Sequence, residues 1–223
     1  SGGIRLKKKV FLEIGQFSFL TCLQQSVMNL GILMVQGLVN SFGTTVMAAF
    51  AAAVKIDSFA YMPVQDFGNA FSTFTAQNYG AGKKERIRAG IRSAVGCAVG
   101  FSLFISLGVW ILAKPLMLLF VKPEETQILA VGIQYLHIEG SFYCGIGCLF
   151  LLYGFYRAVE RPGMSVVLTV ISLGTRVALA YLLSSVPSAG VAGIWWSVPI
   201  GWFLADVVGF WYYRKKKNIL LNF

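Results

Sequence analysis

Ionisable and amide side chains interrupt several long apolar runs of this 223-residue sequence, and their types and spacing define what chemistry is open to it. Gln25, Asn29, Gln36 and Asn40 recur at spacings of four, seven and four, which places them on one stripe of a helix. Lys55, Asp57, Gln65, Asp66 and Asn69 follow, with Pro63 among them. Lys55 and Asp66 are eleven residues apart, close to three helical turns, and Asn69 and Thr73 continue that face. Asp57 and Tyr61 occupy another face. His137 and Glu139, then Arg176, then Asp206 stand in later apolar runs. Carboxylates and amides in such places can bind a cation, carry a proton or line a polar path. Amides can equally bond helix to helix with no ligand at all, and charges of opposite sign can lock helices as a static pair. The residue types alone leave these readings open.

Other chemistries are excluded more firmly. Gly80-Ala81-Gly82-Lys83 has a phosphate-loop look, but Gln77 stands where the first Gly is required and Lys84 where Ser or Thr is required. The single His leaves no helix-borne metal triad, and no serine, cysteine and histidine set suggests a nucleophile. No enzyme, no metal site and no cofactor is expected, and no nucleic-acid partner. Cys22, Cys97, Cys144 and Cys148 lack Cys-x-x-Cys spacing and fall inside apolar runs, which reads as small buried hydrophobes.

The elements that must carry these residues are helices in a bilayer. The chain is 57% hydrophobic and 13% charged, with a mean hydropathy of +0.69. Soluble domains carry about 25% charged residues. Six segments are long and apolar enough to span: Gly15–Ser41, Thr45–Tyr79, Ile91–Ala113, Gln127–Phe155, Met164–Ser184 and Gly190–Tyr213. The second and fourth exceed the minimum length, which predicts tilt, bending or extension past the membrane. Pro63 predicts a kink near Phe59. Residues 1–14 read as a basic start, 15–213 as the transmembrane body and 214–223 as a basic tail. The opening Ser1-Gly2-Gly3, with no initiator Met, reads as an added scar or a cut inside a longer gene.

Charge supports six spans. Arg5, Lys7, Lys8 and Lys9, then Lys83, Lys84, Arg86, Arg88 and Arg92, then Arg157 and Arg161, then Arg214 to Lys217 occupy every second connector, counting the ends. That side holds 15 of the 19 basic residues, against Lys114 and Lys122 on the other. The positive-inside rule makes the rich side cytoplasmic, with both termini on it. At a rise of 1.5 Å per residue, Lys55, Asp57 and Glu139 fall roughly 15–20 Å below the outer surface and Arg176 about 13 Å below it. The expectation is one charged cluster at outer-to-middle depth, in which Arg176 pairs with Glu139 and Lys55 with Asp57 or Glu139.

The stretch Ser41-Phe42-Gly43-Thr44, Ala48-Ala49, Met62-Pro63 and Ala76-Gln77-Asn78-Tyr79-Gly80-Ala81-Gly82-Lys83 resembles the multidrug and toxic compound extrusion (MATE) family. There an outer "fGt" turn leads into an Ala-rich helix that ends in a "gqn-GAgk" loop followed by basic residues. Tyr156-Arg157-Ala158-Val159-Glu160-Arg161-Pro162 is similar to a later Arg-containing connector of that family. The resemblance implies an all-α polytopic membrane protein of the cell membrane, in which these six helices form the second lobe of a twelve-helix transporter. The lipid bilayer, a first six-helix lobe or a second chain, and a small amphipathic substrate would be its partners. Export would be coupled to antiport of Na⁺ or H⁺. Alternatives are a lipid-linked precursor flippase of the same superfamily, or a non-transporting membrane scaffold. Gln25 stands where some members carry a functional Glu, and Ile146 near where some carry an Asp. Gln25, Asn29, Gln36, Lys55, Asp57, Asp66, Asn69, Glu139 and Arg176 are the pathway candidates.

Overall fold

A computed structural model describes residues 8–220 of the chain. Residues 1–7 of the basic start and 221–223 of the tail lie outside the described residues. Among the described residues seven helices follow one another: α1 (Lys8–Asn40), α2 (Thr44–Gly80), α3 (Lys84–Met117), α4 (Thr126–Gly140), α5 (Tyr143–Ala158), α6 (Pro162–Ser184) and α7 (Gly190–Leu220). Five are long and apolar enough to cross a membrane singly. The pair α4–α5 meets the same test together, which makes up to six spans.

The fourth expected span, Gln127–Phe155, is two helices bent by 52° at Ser141-Phe142, a bend of the kind its excess length had pointed to. The cause is local. Gly140 and Gly145 flank the break, and glycine is a poor helix former. The Ser141 hydroxyl donates to the His137 carbonyl at 2.6 Å and competes for an α4 acceptor. The chain then tightens, with Phe142 N–H on Glu139 O at 3.0 Å and Gly145 N–H on Phe142 O at 2.8 Å. By contrast α2 runs without interruption through Pro63.

The loop between α2 and α3 is a helix terminator built from its own residues. Lys83 N–H bonds Asn78 O at 2.9 Å and Gly82 N–H bonds Tyr79 O at 3.1 Å, with Gly82 at φ +67°. That is a Schellman cap, in which the left-handed residue is ordinarily Gly. The end of α5 uses the same crossing bond, Arg161 N–H to Tyr156 O at 2.8 Å, but places Glu160 at φ +58°.

The surface is that of a protein surrounded by lipid. Phe59, Phe104 and Leu119 are each more than 70% exposed, a degree of apolar display that soluble monomers avoid. Cys22 and Cys97 belong to this surface, so the expectation of burial fails for them. Inside, close backbone approach packs the helices as small residues allow. Gly154 abuts Gly68 of α2, and Ser72 Oγ donates to Gly154 O at 2.9 Å. Gly201 of α7 lies against Ser172 of α6. Two apolar clusters form the core. One gathers Phe71, Leu149, Tyr156 and Trp202, the other Phe50, Ile56, Leu136 and Trp195. Ile146 touches both.

Candidate functional site: a buried carboxyl cavity

Where the two apolar clusters meet, α1, α2, α4, α5, α6 and α7 line a partly open cavity of about 190 Å³. Four of the candidate residues line it: Gln36, Asp57, Glu139 and Arg176. The helix period explains the wall on α2. Phe50, Val54, Asp57, Tyr61 and Gln65 recur at four, three, four and four, which is one stripe.

Asp57 is 4% exposed, and both of its oxygens accept hydrogen bonds from phenols. The Tyr143 hydroxyl donates to Oδ1 at 2.6 Å and the Tyr135 hydroxyl to Oδ2 at 3.3 Å. Tyr135 also stands one α4 turn before Glu139, so it sits on the same face as the second carboxyl. Glu139 is 1% exposed, and its Oε1 has no hydrogen-bond partner among the described residues. The same holds for Nε of Arg176. Phe50, Tyr135 and Trp195 brace one end of the cavity: Phe50 stacks on Trp195 at 5.4 Å, and Tyr135 meets Trp195 edge-on at 5.0 Å.

The expected ion pairs do not form. Among the described residues the single ion pair within 4 Å is Arg88–Glu85, on the surface. Arg176 and Glu139 share the cavity without touching as a pair. Lys55 is absent from the cavity wall; it is exposed, with its ammonium 5.8 Å from the centre of the Phe120 ring. The reason is rotation: two residues along a helix turn about 200°, so Lys55 and Asp57 point to opposite sides.

The remaining candidates lie elsewhere. Asp66 is exposed. Asn69 accepts from Arg157 Nη2 at 3.2 Å on an exposed face. Gln25 and Asn29 bond each other at 3.4 Å, also exposed. Gln36 donates to Asn40 at 3.1 Å while edging the cavity. The buried amide of α1 is instead Gln24, which donates to Thr169 Oγ1 at 3.0 Å and ties α1 to α6. Asp206 is 8% exposed and faces α5 beside Gly145, apart from the cavity.

Chemically, two carboxyls, one guanidinium and a set of phenols converge on one small space. If all three ionisable groups are charged, one negative charge is left over. Among the described residues no cluster of three His, Cys, Asp or Glu could hold a transition metal. A single monovalent cation or a proton is what such a set can neutralise.

Comparison with known proteins places this architecture. The MatE family model matches residues 18–182. The probable multidrug resistance protein YpnP of Bacillus subtilis is 31% identical over 86% of this chain and 42% of its own length. The probable multidrug resistance protein NorM of Thermotoga maritima is 23% identical over 88% of this chain and 41% of its own. The chain thus spans less than half the length of the curated relatives it matches. The fold is that of a solved MATE in complex with MaL6, with TM-score 0.89 at 20% identity over 96% of this chain and 48% of that one. It is also that of the Vibrio cholerae MATE transporter VcmN in the bent form, with TM-score 0.87 at 21% identity over 98% and 50%. A matched family model over most of its residues, a polytopic helical fold and these relatives together make the chain a member of the MatE family of multi-pass membrane transporters.

Proposed function

We propose that this chain is the second six-helix lobe of a secondary exporter, and that its carboxyl cavity takes up the coupling cation, Na⁺ or H⁺. The complete transporter would pair it with a first lobe or a second chain, and both termini would lie in the cytoplasm. Its cargo would be an amphipathic organic compound, as the names of the multidrug resistance relatives suggest.

One observation carries the reading: Asp57 and Glu139 are buried beside a single half-buried Arg176 that forms an ion pair with neither. An uncompensated charge at membrane depth costs at least about 2.5–3.5 kcal/mol, so the site favours the state in which a cation or proton has cancelled it. The phenols of Tyr135 and Tyr143 hold Asp57 in place as an acceptor, and the spare oxygen of Glu139 supplies a second ligand. Lobe rocking about the site would then alternate its exposure.

The test is transport by the full gene product in proteoliposomes, with a fluorescent organic cation as cargo and an imposed Na⁺ or proton gradient. Dye efflux that follows one of the gradients and is abolished in both Asp57→Asn and Glu139→Gln supports the reading. Gradient-driven efflux at the wild-type rate in both variants overturns it.

A further inference from the structure

The groove between α2 and α3 is outside the carboxyl cavity and has no part in the function proposed above. It consists of two adjoining hollows of about 570 Å³ and 240 Å³ that share Phe67 and Cys97. Phe74 and Phe67 of α2 form one wall, and Gly90, Ser93 and Cys97 of α3 the other. The small residues of α3 make the trough. At Gly90 a side chain would collide with the Phe74 ring, which instead lies down on the α3 backbone. Toward mid-membrane the trough continues past Pro63 to Phe101.

One charged group edges it, and that group is Arg86, at the end of the bundle carrying the basic connector. The neighbouring acid is already committed, since Glu85 binds Arg88 at 2.7 Å. Arg86 itself is exposed and enters no ion pair among the described residues. From Arg86 to Phe101 is fifteen residues of α3, or about 22 Å at 1.5 Å per residue. One leaflet, headgroup included, is about 20–22 Å thick. Trough and cation are therefore spaced as the tail and phosphate of one lipid. The five basic residues of Lys83, Lys84, Arg86, Arg88 and Arg92 add a field that attracts anionic headgroups over neutral ones.

We propose that the α2–α3 groove is a binding site for one anionic phospholipid, with an acyl chain in the trough and its phosphate on Arg86. The lipid bridges two helices that would otherwise leave a gap on the lipid-facing surface, and it does so next to the loop that joins them.

Native mass spectrometry of the full gene product tests this, released from nanodiscs of equal phosphatidylglycerol and phosphatidylethanolamine. Wild type should keep at least one phosphatidylglycerol under conditions that strip phosphatidylethanolamine. Arg86→Gln should weaken that preference about fivefold, the effect of one basic residue at an anionic surface. Ser93→Phe, which fills the trough, should reduce retention of both lipids. Both side chains are exposed, so an unchanged melting temperature confirms that each variant is folded. Glycerol phosphate, which has the anion without the chain, should not displace the bound lipid. Unchanged phosphatidylglycerol retention in both folded variants overturns the proposal, and so does displacement by glycerol phosphate. Neither result depends on whether the carboxyl cavity binds an ion.

Discussion

Replacing Asp57 by Asn changes the charge of the cavity while disturbing its shape very little. The substituted amide would keep one oxygen to accept from Tyr143, now 2.6 Å from Asp57 Oδ1, and its NH₂ group could donate to the Tyr135 hydroxyl. The formal balance moves from one surplus negative charge to none, because Glu139 and Arg176 then cancel. At about 4 Å and an effective dielectric constant near 20, one lost charge weakens a bound monovalent cation by about 4 kcal/mol before desolvation is counted. That corresponds to several hundred-fold in affinity, by the rule of about 1.4 kcal/mol per tenfold. The assay is thermal unfolding of the full gene product in nanodiscs across a Na⁺ series and a pH series. A site filled at about a hundred times its dissociation constant gains about 2.7 kcal/mol of stability, and D57N should lose that gain. The double variant D57N/E139Q leaves Arg176 uncompensated and should be less stable than either single, by about 2.5–3.5 kcal/mol. Adding Arg176→Gln should then restore stability without restoring transport. Cation-dependent stabilisation that persists in both single variants, together with wild-type transport, would refute the charge argument.

The remaining predictions concern positions whose geometry sets a magnitude. Tyr143→Phe removes the short bond to a buried carboxylate and should cost about 1.5–3 kcal/mol in chemical unfolding, while Tyr135→Phe, which loses a 3.3 Å bond, should cost less. Gly154→Ala drives a methyl group toward the Gly68 carbonyl at 2.6 Å and should lower the melting temperature through overpacking of about 1–3 kcal/mol. Glu160→Gly relieves a left-handed backbone at φ +58° and should stabilise by about 1 kcal/mol, read as a higher melting midpoint.

Much of the fold was legible because lipid imposes it. Apolar length and the alternation of basic connectors point to six crossings, and the GAGK stretch is a helix cap whose Gly82 sits at positive φ. The break in the fourth span was visible only as excess length. Its cause, Ser141 taking the His137 carbonyl between two glycines, depends on a side-chain rotamer that periodicity does not report. The site was half legible for a similar reason. Asp57, Glu139 and Arg176 stood out as ions in apolar runs, and depth placed them together. Depth says nothing of azimuth, however. Lys55 shares the depth of Asp57 and faces the opposite way, toward Phe120. The stripe Val54, Asp57, Tyr61 and Gln65 carried the missing information, since a carboxyl reads its surroundings from residues three and four away.

The tyrosines were overlooked because a phenol in an apolar run is indistinguishable from packing until its hydroxyl has a partner. Tyr135 and Tyr143 lie on separate helices, one on each side of the 52° break between α4 and α5, and both reach Asp57. Were the fourth span one straight helix, residues eight apart would sit about 12 Å apart along its axis. On such a rod they would also point about 80° apart around the axis, whereas the break reorients the helix that carries Tyr143. The break and the site are therefore coupled through direction: the bend sets the angle from which the second donor approaches Asp57. A variant that straightens it, such as Ser141→Ala with Gly140→Ala, should lose the Tyr143 bond first and behave like Tyr143→Phe in unfolding and in transport. Wild-type stability and transport in that variant would separate the break from the site.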